Sequence, residues 1–347
     1  MARSAAALVG LLVVVVATPP PAQARPARAP AGTRFLDSVF DDVDITEDVP
    51  YRQAVNVEGD LQTLHLDIYE PAGDTAQRRP ALLFVHGGGF TFGNNKDDAW
   101  GAGPGFASEF ARKGFVVVSI QYRLRPDLGI TPLPDLETAE ELDLSEGQAA
   151  SLDAYDDAVA AVAWMVDNAE SLRIDPRAII ANGPSAGGTT AWHLAWMQGS
   201  KLRPDPSGVA AAVSVSGAPF EFTTDTHEPL AAPSPGDRPV IDFHGTADTT
   251  IGIALAQQPC SHAAAAGVRC DLVPYEGIGH PGLDPQYLTL LGDIEQRTLA
   301  FIAEVVLSPL GYMDQPPGTP AGPDRPAPTP AEAPPAVPVA AEPTFTG

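Results

Sequence analysis

The sequence predicts an α/β fold in which a mostly parallel central sheet is covered by helices on both faces. Two observations carry this expectation. Continuous apolar runs rich in β-branched residues recur at 81–85, 115–120, 178–182, 209–216, 239–243 and 268–273. A strand with one wet face alternates, whereas a strand buried on both faces reads as an unbroken apolar run. Helix-compatible stretches separate most of these runs, which is the connection that parallel neighbours require.

Taken in chain order, the first 24 residues read as a secretory signal peptide. Arg3 precedes an apolar stretch from Ala5 to Ala17, and Ala22-Gln23-Ala24 forms a small-residue cleavage site. The apolar part is too short to span a membrane, and Pro19-Pro20-Pro21 interrupts any longer helix. A single folded domain is expected over 25–313 and a disordered Pro/Ala-rich tail over 314–347, because the tail has almost no large apolar residues with which to form a core.

Within the domain, Leu64 to Tyr69 alternates as a strand with one solvated face. The run 81–85 leads directly into His86-Gly87-Gly88-Gly89-Phe90. Consecutive glycines let backbone amides turn inward, and acyl transfer needs such donors because charge builds on the carbonyl oxygen; one donor is worth about 10²–10³ in turnover. After 115–120 comes an acidic stretch with Asp135, Glu137, Glu140, Glu141, Asp143 and Glu146. It reads as a solvated helix face or, more sharply, as part of a lid over residues 126–150 that disfavours anionic substrates. Comparing neutral with anionic esters after neutralising it distinguishes the two. Leu152 to Leu172 reads as a helix with Ser151 as N-cap; Leu152, Tyr155, Val159, Val162 and Val166 share its apolar face, and Asp153, Asp156 and Asp157 lie mostly elsewhere.

The run 178–182 is followed by Gly183-Pro184-Ser185-Ala186-Gly187 and then by a helix-compatible stretch from Thr189 to Gln198. A Gly-x-Ser-x-Gly between strand and helix is a nucleophile elbow, with Ser185 exposed at its tip and the Ala186 N–H at a helix N-terminus. The acid and base are then expected later in the chain, at strand ends. Asp248 follows the run 239–243, and His280 follows 268–273. Asp248 would orient His280, which would take the Ser185 proton and return it to the leaving group. Asp242 is the rival acid, but inside its strand it would point sideways into the sheet packing. His65, His193, His227 and His262 read as structural or surface residues, and His244 as a turn-shaping one. No His/Cys/Asp grouping has metal-ligand spacing, so neither metal nor cofactor is expected.

These motifs, with Leu66-Asp-Ile-Tyr-Glu-Pro71 and Phe115-Val-Val-Val-Ser-Ile-Gln-Tyr-Arg123, resemble the α/β-hydrolase superfamily. Within it they resemble the carboxylesterases and lipases that carry an HGGG oxyanion motif. The resemblance runs from about Leu64 to the last helix near Val306. It implies the α/β-hydrolase fold, Ser185 as nucleophile, Asp248 and His280 as its partners, and Gly88, Gly89 and Ala186 as oxyanion donors. Pro184 departs from the acidic residue or histidine usual before the serine. The same superfamily contains peptidases and amidases, and catalytically silent binding proteins, which are the alternatives to a serine esterase.

Export makes Cys260 and Cys270 a disulfide, the even count in a secreted chain favouring a bridge over two buried thiols. A net charge of −24, from which a leader carrying Arg3 would remove one further positive charge, disfavours nucleic acid and anionic membranes. The expected partner is a small-molecule or polymer-linked ester. Only about twenty residues, Gly217 to Arg238, separate two adjacent strands. That leaves little room for a cap, so an open site for short acyl chains is expected, with Phe90, Phe92, Trp100, Phe220 and Ile251 as lining candidates.

Overall fold

The computed structural model describes residues 33–56, 58–96, 105–125, 146–197, 208–219 and 233–314, with the backbone alone at 146–149. The expected leader at 1–24, the tail beyond Asp314, nearly all of the 126–150 stretch, and Trp100, Phe220 and His227 lie outside the described residues.

Eight strands form one sheet in the order β1-β2-β4-β3-β5-β6-β7-β8. These are β1 (Val43–Val55), β2 (Leu61–Pro71), β3 (Arg79–Val85), β4 (Val116–Ile120), β5 (Ile174–Pro184), β6 (Ala211–Val215), β7 (Val240–Gly245) and β8 (Cys270–Tyr275). β1 pairs antiparallel with β2, and β2 antiparallel with β4, while β4, β3, β5, β6, β7 and β8 run parallel. The helices are α1 (Gly105–Arg112), α2 (Glu146–Asp167), α3 (Ala186–Trp196), α4 (Ala254–Ala263) and α5 (Leu291–Ile302).

Both faces of the sheet are covered, as the unbroken apolar runs require. In β3, Ala81, Leu83 and Val85 join the core under α2 and α3, while Leu82 and Phe84 join the core with α1 and α5. The same alternation divides Val116 and Val118 from Val117 in β4, and Ile179 and Ala181 from Ala178 and Ile180 in β5. Successive strand residues point to opposite faces, so each run feeds both cores. Each Val, Leu or Phe so buried contributes about 1.5–3 kcal/mol.

Two expectations are corrected. The apolar pattern predicts seven strands, and the eighth is β1. It is a sheet edge, mostly exposed, with Pro50 inside it and irregular register at Thr46/Val49 and Pro50/Arg52. An edge strand tolerates proline and needs no apolar face, so it leaves no periodic signal.

The second correction concerns α2, which starts at Glu146 rather than after Ser151 and ends at Asp167. Ser151 is therefore inside the helix, buried, with Oγ 3.4 Å from Nδ1 of His193. Tyr155 and Val162 are buried as expected, but Val166 is exposed and the inward stripe is completed by Ala150, Ala154, Ala158, Ala161 and Met165. These small side chains let α2 lie close to the sheet. Asp157, expected on the wet face, is fully buried between Arg123 Nε at 2.9 Å and Arg52 Nη1 at 2.7 Å.

The bridge between Cys260 and Cys270 is present, with the Cα atoms 5.3 Å apart, and it ties α4 to the start of β8.

Candidate active site

β5 delivers Ser185 at the carboxyl edge of the sheet. The serine has φ 53 and ψ −120, a left-handed conformation that L-residues avoid, and holding it costs on the order of 1–3 kcal/mol. The surroundings enforce it. Ser185 N–H donates to Val215 O at 2.8 Å, and Ser185 O accepts from Thr189 N–H at 2.9 Å, so β6 on one side and the first turn of α3 on the other fix the turn. Glycine is required on both flanks: a Cβ on Gly183 would lie 2.7 Å from the carbonyl carbon of Gly187, and one on Gly187 would overlap the Val85 carbonyl. α3 is buried along its whole length.

The glycine loop after β3 packs against this turn. A Cβ on Gly87 would come 3.5 Å from Cβ of Ser185, so the loop lies directly against the serine. Gly88, Gly89 and Phe90 all have positive φ (107°, 59° and 62°). The loop is held from behind by Tyr122, two residues past β4. Its hydroxyl donates to His86 O at 3.0 Å and Gly87 O at 3.2 Å, and its ring stacks on His86 with centroids 4.2 Å apart. Burial pushes the Tyr122 hydroxyl far above its ordinary pKa, so it remains a donor.

β7 and β8 deliver Asp248 and His280 to the same edge. His280 Nε2 lies 2.8 Å from Ser185 Oγ, and His280 Nδ1 lies 2.7 Å from Asp248 Oδ2. A carboxylate only accepts, so Nδ1 carries the hydrogen and Nε2 is left to receive the serine proton. Asp248 Oδ1 accepts from Thr250 N–H at 2.8 Å and Ile251 N–H at 2.9 Å. Burial pulls the Asp248 carboxyl upward, but the His280 hydrogen bond and charge with these two amides outweigh it and hold the pKa below the usual range.

The two loops are sewn together. Thr246 N–H donates to Tyr275 O and Ala247 N–H to Ile278 O, both at 2.9 Å. A Cβ on Gly245 would come 2.6 Å from Gly279 O, which leaves glycine there. Asp284 closes the His280 loop, accepting from Gly279 N–H at 2.7 Å while its own N–H donates to His280 O at 2.8 Å.

Thus Ser185, Asp248, His280, the Gly88–Gly89 loop and Ala186, the first residue of α3, gather at one edge of the sheet. His262 is exposed, His65 lies on β2 and His193 is buried in α3. Of the lining candidates described, Phe90 and Ile251 are buried and Phe92 is exposed. Asp242 and His244 were not read as partners of one another, yet His244 Nδ1 lies 2.7 Å from Asp242 Oδ2. Two polar residues facing the same way inside a continuous apolar strand, at 242 and 244, were the available signal. Among the described residues no group of three or more His, Cys, Asp or Glu side chains is placed to hold a metal ion, and no helix is long and apolar enough to cross a membrane.

The model of the carboxylesterase family matches residues 44–232, over half of the chain. Similar curated proteins include esterase-5B of Drosophila persimilis, 32% identical over 46% of this chain and 25% of that protein, and carboxylesterase 1C of Rattus norvegicus, 35% identical over 41% and 23%. The chain thus spans about a quarter of the length of the curated relatives it matches. Among solved structures, esterase 2 of Thermogutta terrifontis phosphorylated by paraoxon superposes with a TM-score of 0.58 at 23% identity, covering 79% of this chain and 96% of that one. That likeness concerns the fold, which is the α/β-hydrolase fold.

Proposed function

The chain belongs to the carboxylesterase family, and on that premise we propose that it is an exported serine esterase hydrolysing short-chain carboxylic esters through Ser185, His280 and Asp248. The observation that carries this reading is the unbroken path from Ser185 Oγ through the His280 ring to Asp248.

On this reading His280 Nε2 takes the Ser185 proton as Oγ attacks the ester carbonyl carbon. Asp248, ionised and already fixed by two amides, stabilises the imidazolium without itself taking the proton. The carbonyl oxygen becomes an oxyanion, which the backbone N–H groups of Gly88, Gly89 and Ala186 receive. The tetrahedral intermediate collapses, the Ser185–acyl bond is retained, and His280 Nε2–H protonates the departing alkoxide. Water then enters along the same path: His280 removes its proton, hydroxide adds to the acyl carbon, and the carboxylic acid leaves as Oγ regains its hydrogen.

Export is supported by the leader-like first 24 residues and by the Cys260–Cys270 bridge, since disulfides persist in oxidising compartments. The short connection between β6 and β7, Gly217 to Arg238, supports short acyl groups. Hydrolysis of p-nitrophenyl acetate by the protein and by Ser185→Ala tests the reading. Turnover should fall in the variant by about 10⁴-fold or more. Comparable turnover in both would sink it, and a strong preference for long-chain esters would sink the acyl-length part alone.

A further inference from the structure

Behind Asp248 lies a second acid–imidazole pair that proton transfer to and from Ser185 does not use. Asp242 and His244 are both fully buried at the carboxyl end of β7. The two nitrogens of the His244 ring both face acceptors: Nδ1 is 2.7 Å from Asp242 Oδ2, and Nε2 is 2.8 Å from the Ile251 carbonyl oxygen. A backbone carbonyl cannot donate, so Nε2 carries a hydrogen. Asp242 also accepts, through Oδ1, from Gly217 N–H at 3.4 Å. Nδ1 and Asp242 Oδ2 share one further hydrogen, and with it on the ring, where the Asp242 charge favours it, both nitrogens are protonated and His244 is an imidazolium.

The clamp reaches the site through Ile251. That residue gives its carbonyl to His244 and its N–H to Asp248 Oδ1, at 2.9 Å. Asp248 Oδ2 in turn holds His280, and it lies 3.8 Å from His244 Nε2. We propose that His244, kept as an imidazolium by Asp242, is a positioning residue that pins the Asp248 loop through the Ile251 carbonyl and lies as a cation behind the Asp248 carboxylate. This rests on reading Ser185, His280 and Asp248 as the reacting residues.

Among the described residues, the titratable groups facing this ring are Asp242 on its own strand and Asp248 after it. Beyond them stand His280 from the loop after β8, in contact with Asp248, and Tyr287 from the 285–290 turn, whose hydroxyl meets Ser216 Oγ at 2.8 Å and Phe243 O at 3.3 Å. Burial pulls the His244 pKa down, but the charge and hydrogen bond of Asp242, the Ile251 carbonyl and the Asp248 charge outweigh it, and the net direction is up. The proton is therefore retained to higher pH than on a free imidazole and lost above that. Its loss leaves either Asp242 or the Ile251 carbonyl without a donor, and it removes the cation between two carboxylates. Turnover then falls while substrate binding, which His244 does not touch, changes little.

The test combines ¹⁵N-histidine NMR of the whole protein with pH profiles of p-nitrophenyl acetate hydrolysis for the parent, Asp242→Asn, His244→Gln and His244→Leu. At pH 7 the parent should show two N–H signals that vanish together in His244→Gln, and its kcat should decline at alkaline pH. In Asp242→Asn the uncompensated ring becomes neutral, one N–H signal remains, and the alkaline decline disappears. His244→Leu should lower kcat by about tenfold to a hundredfold with KM within about twofold, as a small misplacement near a reacting centre does. His244→Gln, which keeps a donor for Ile251, should recover part of that loss.

A single N–H on His244 in the parent, an Asp242→Asn profile like the parent's, or full kcat in a folded His244→Leu would each overturn the proposal. If His244→Leu does not fold, the spectrum of the unaltered chain and the Asp242→Asn profile still decide. Ser185→Ala separates the two readings: hydrolysis persisting there removes the esterase mechanism, while the NMR result on His244 stands or falls independently.

Discussion

Tyr122 shows how much of a single side chain's role lies beyond its own contacts with the site. Its hydroxyl serves two carbonyls of the glycine loop, and its ring supports His86, so it faces the back of the loop whose front lies against Ser185. Tyr122→Phe keeps the ring and removes the donor. Kcat for p-nitrophenyl acetate should drop by about tenfold, less than the 10²–10³ that removal of an oxyanion donor itself costs. Two buried carbonyls left short of a donor should also lower unfolding stability by about 1–3 kcal/mol, read from urea midpoints. Unchanged kcat with lowered stability would assign Tyr122 to packing alone.

At this scale, Ser185, Asp248, His280 and the Gly88–Gly89 loop were legible because the chemistry dictates residue type, order and position at strand ends. Tyr122 follows an apolar run, and nothing in its spacing distinguishes a loop support from an ordinary core residue. Asp242 and His244 were seen separately and their pairing missed, because periodicity assigns a face of the sheet and says nothing about which polar groups satisfy one another there. Asp157 failed for a related reason: a carboxylate reads as solvated until its two arginines, on β1 and beyond β4, are brought to it.

Among the elements, the buried runs β3 to β7 were legible because burial on both faces writes an unbroken apolar signature, and β8, a half-exposed edge, was legible from its apolar run alone. β1 was not, since an edge strand is exposed, carries charges and admits Pro50. Its docking to the rest depends on a polar bridge: Arg52 of β1 and Arg123 after β4 both end on Asp157 of α2. Asp157→Ala removes the carboxylate that Arg52 meets, while Arg123 keeps Asp153 Oδ1 at 3.2 Å, and should destabilise the protein by about 1–3 kcal/mol, measured by chemical denaturation. Hydrogen exchange should show β1 opening first. A loss under about 1 kcal/mol would make the bridge no more than a surface pair.

For the molecule as a whole, two buried histidines bound the pH range of stability. Burial pushes His193 down to about 3. The unfolded chain then binds a proton, at a pKa near 6.5, that the folded chain does not, so stability falls below that pH by about 1.4 kcal/mol per unit. Asp248, held low, adds to the loss further into acid, its contribution being present above the ordinary carboxylate pKa and lost as pH falls. His244 has the opposite sign: its raised pKa gives stability that is present below its unfolded value and lost as pH rises through its folded one. Urea midpoints across pH should therefore trace a dome, and His193→Gln should flatten its acidic side near pH 6. A profile of unchanged slope between pH 4 and 6.5 in that variant would contradict the assignment.

Among the described residues β8, which leads to His280, is both the last strand and the far edge of the sheet. The serine precedes its start by 85 residues and the glycine loop by about 180, and both dock on the sheet's interior strands. A ribosome therefore releases the serine before the histidine, and on the proposed mechanism an incomplete chain holds a serine with no acceptor for its proton. On that mechanism hydrolysis begins only once β8 has closed the far edge of the sheet.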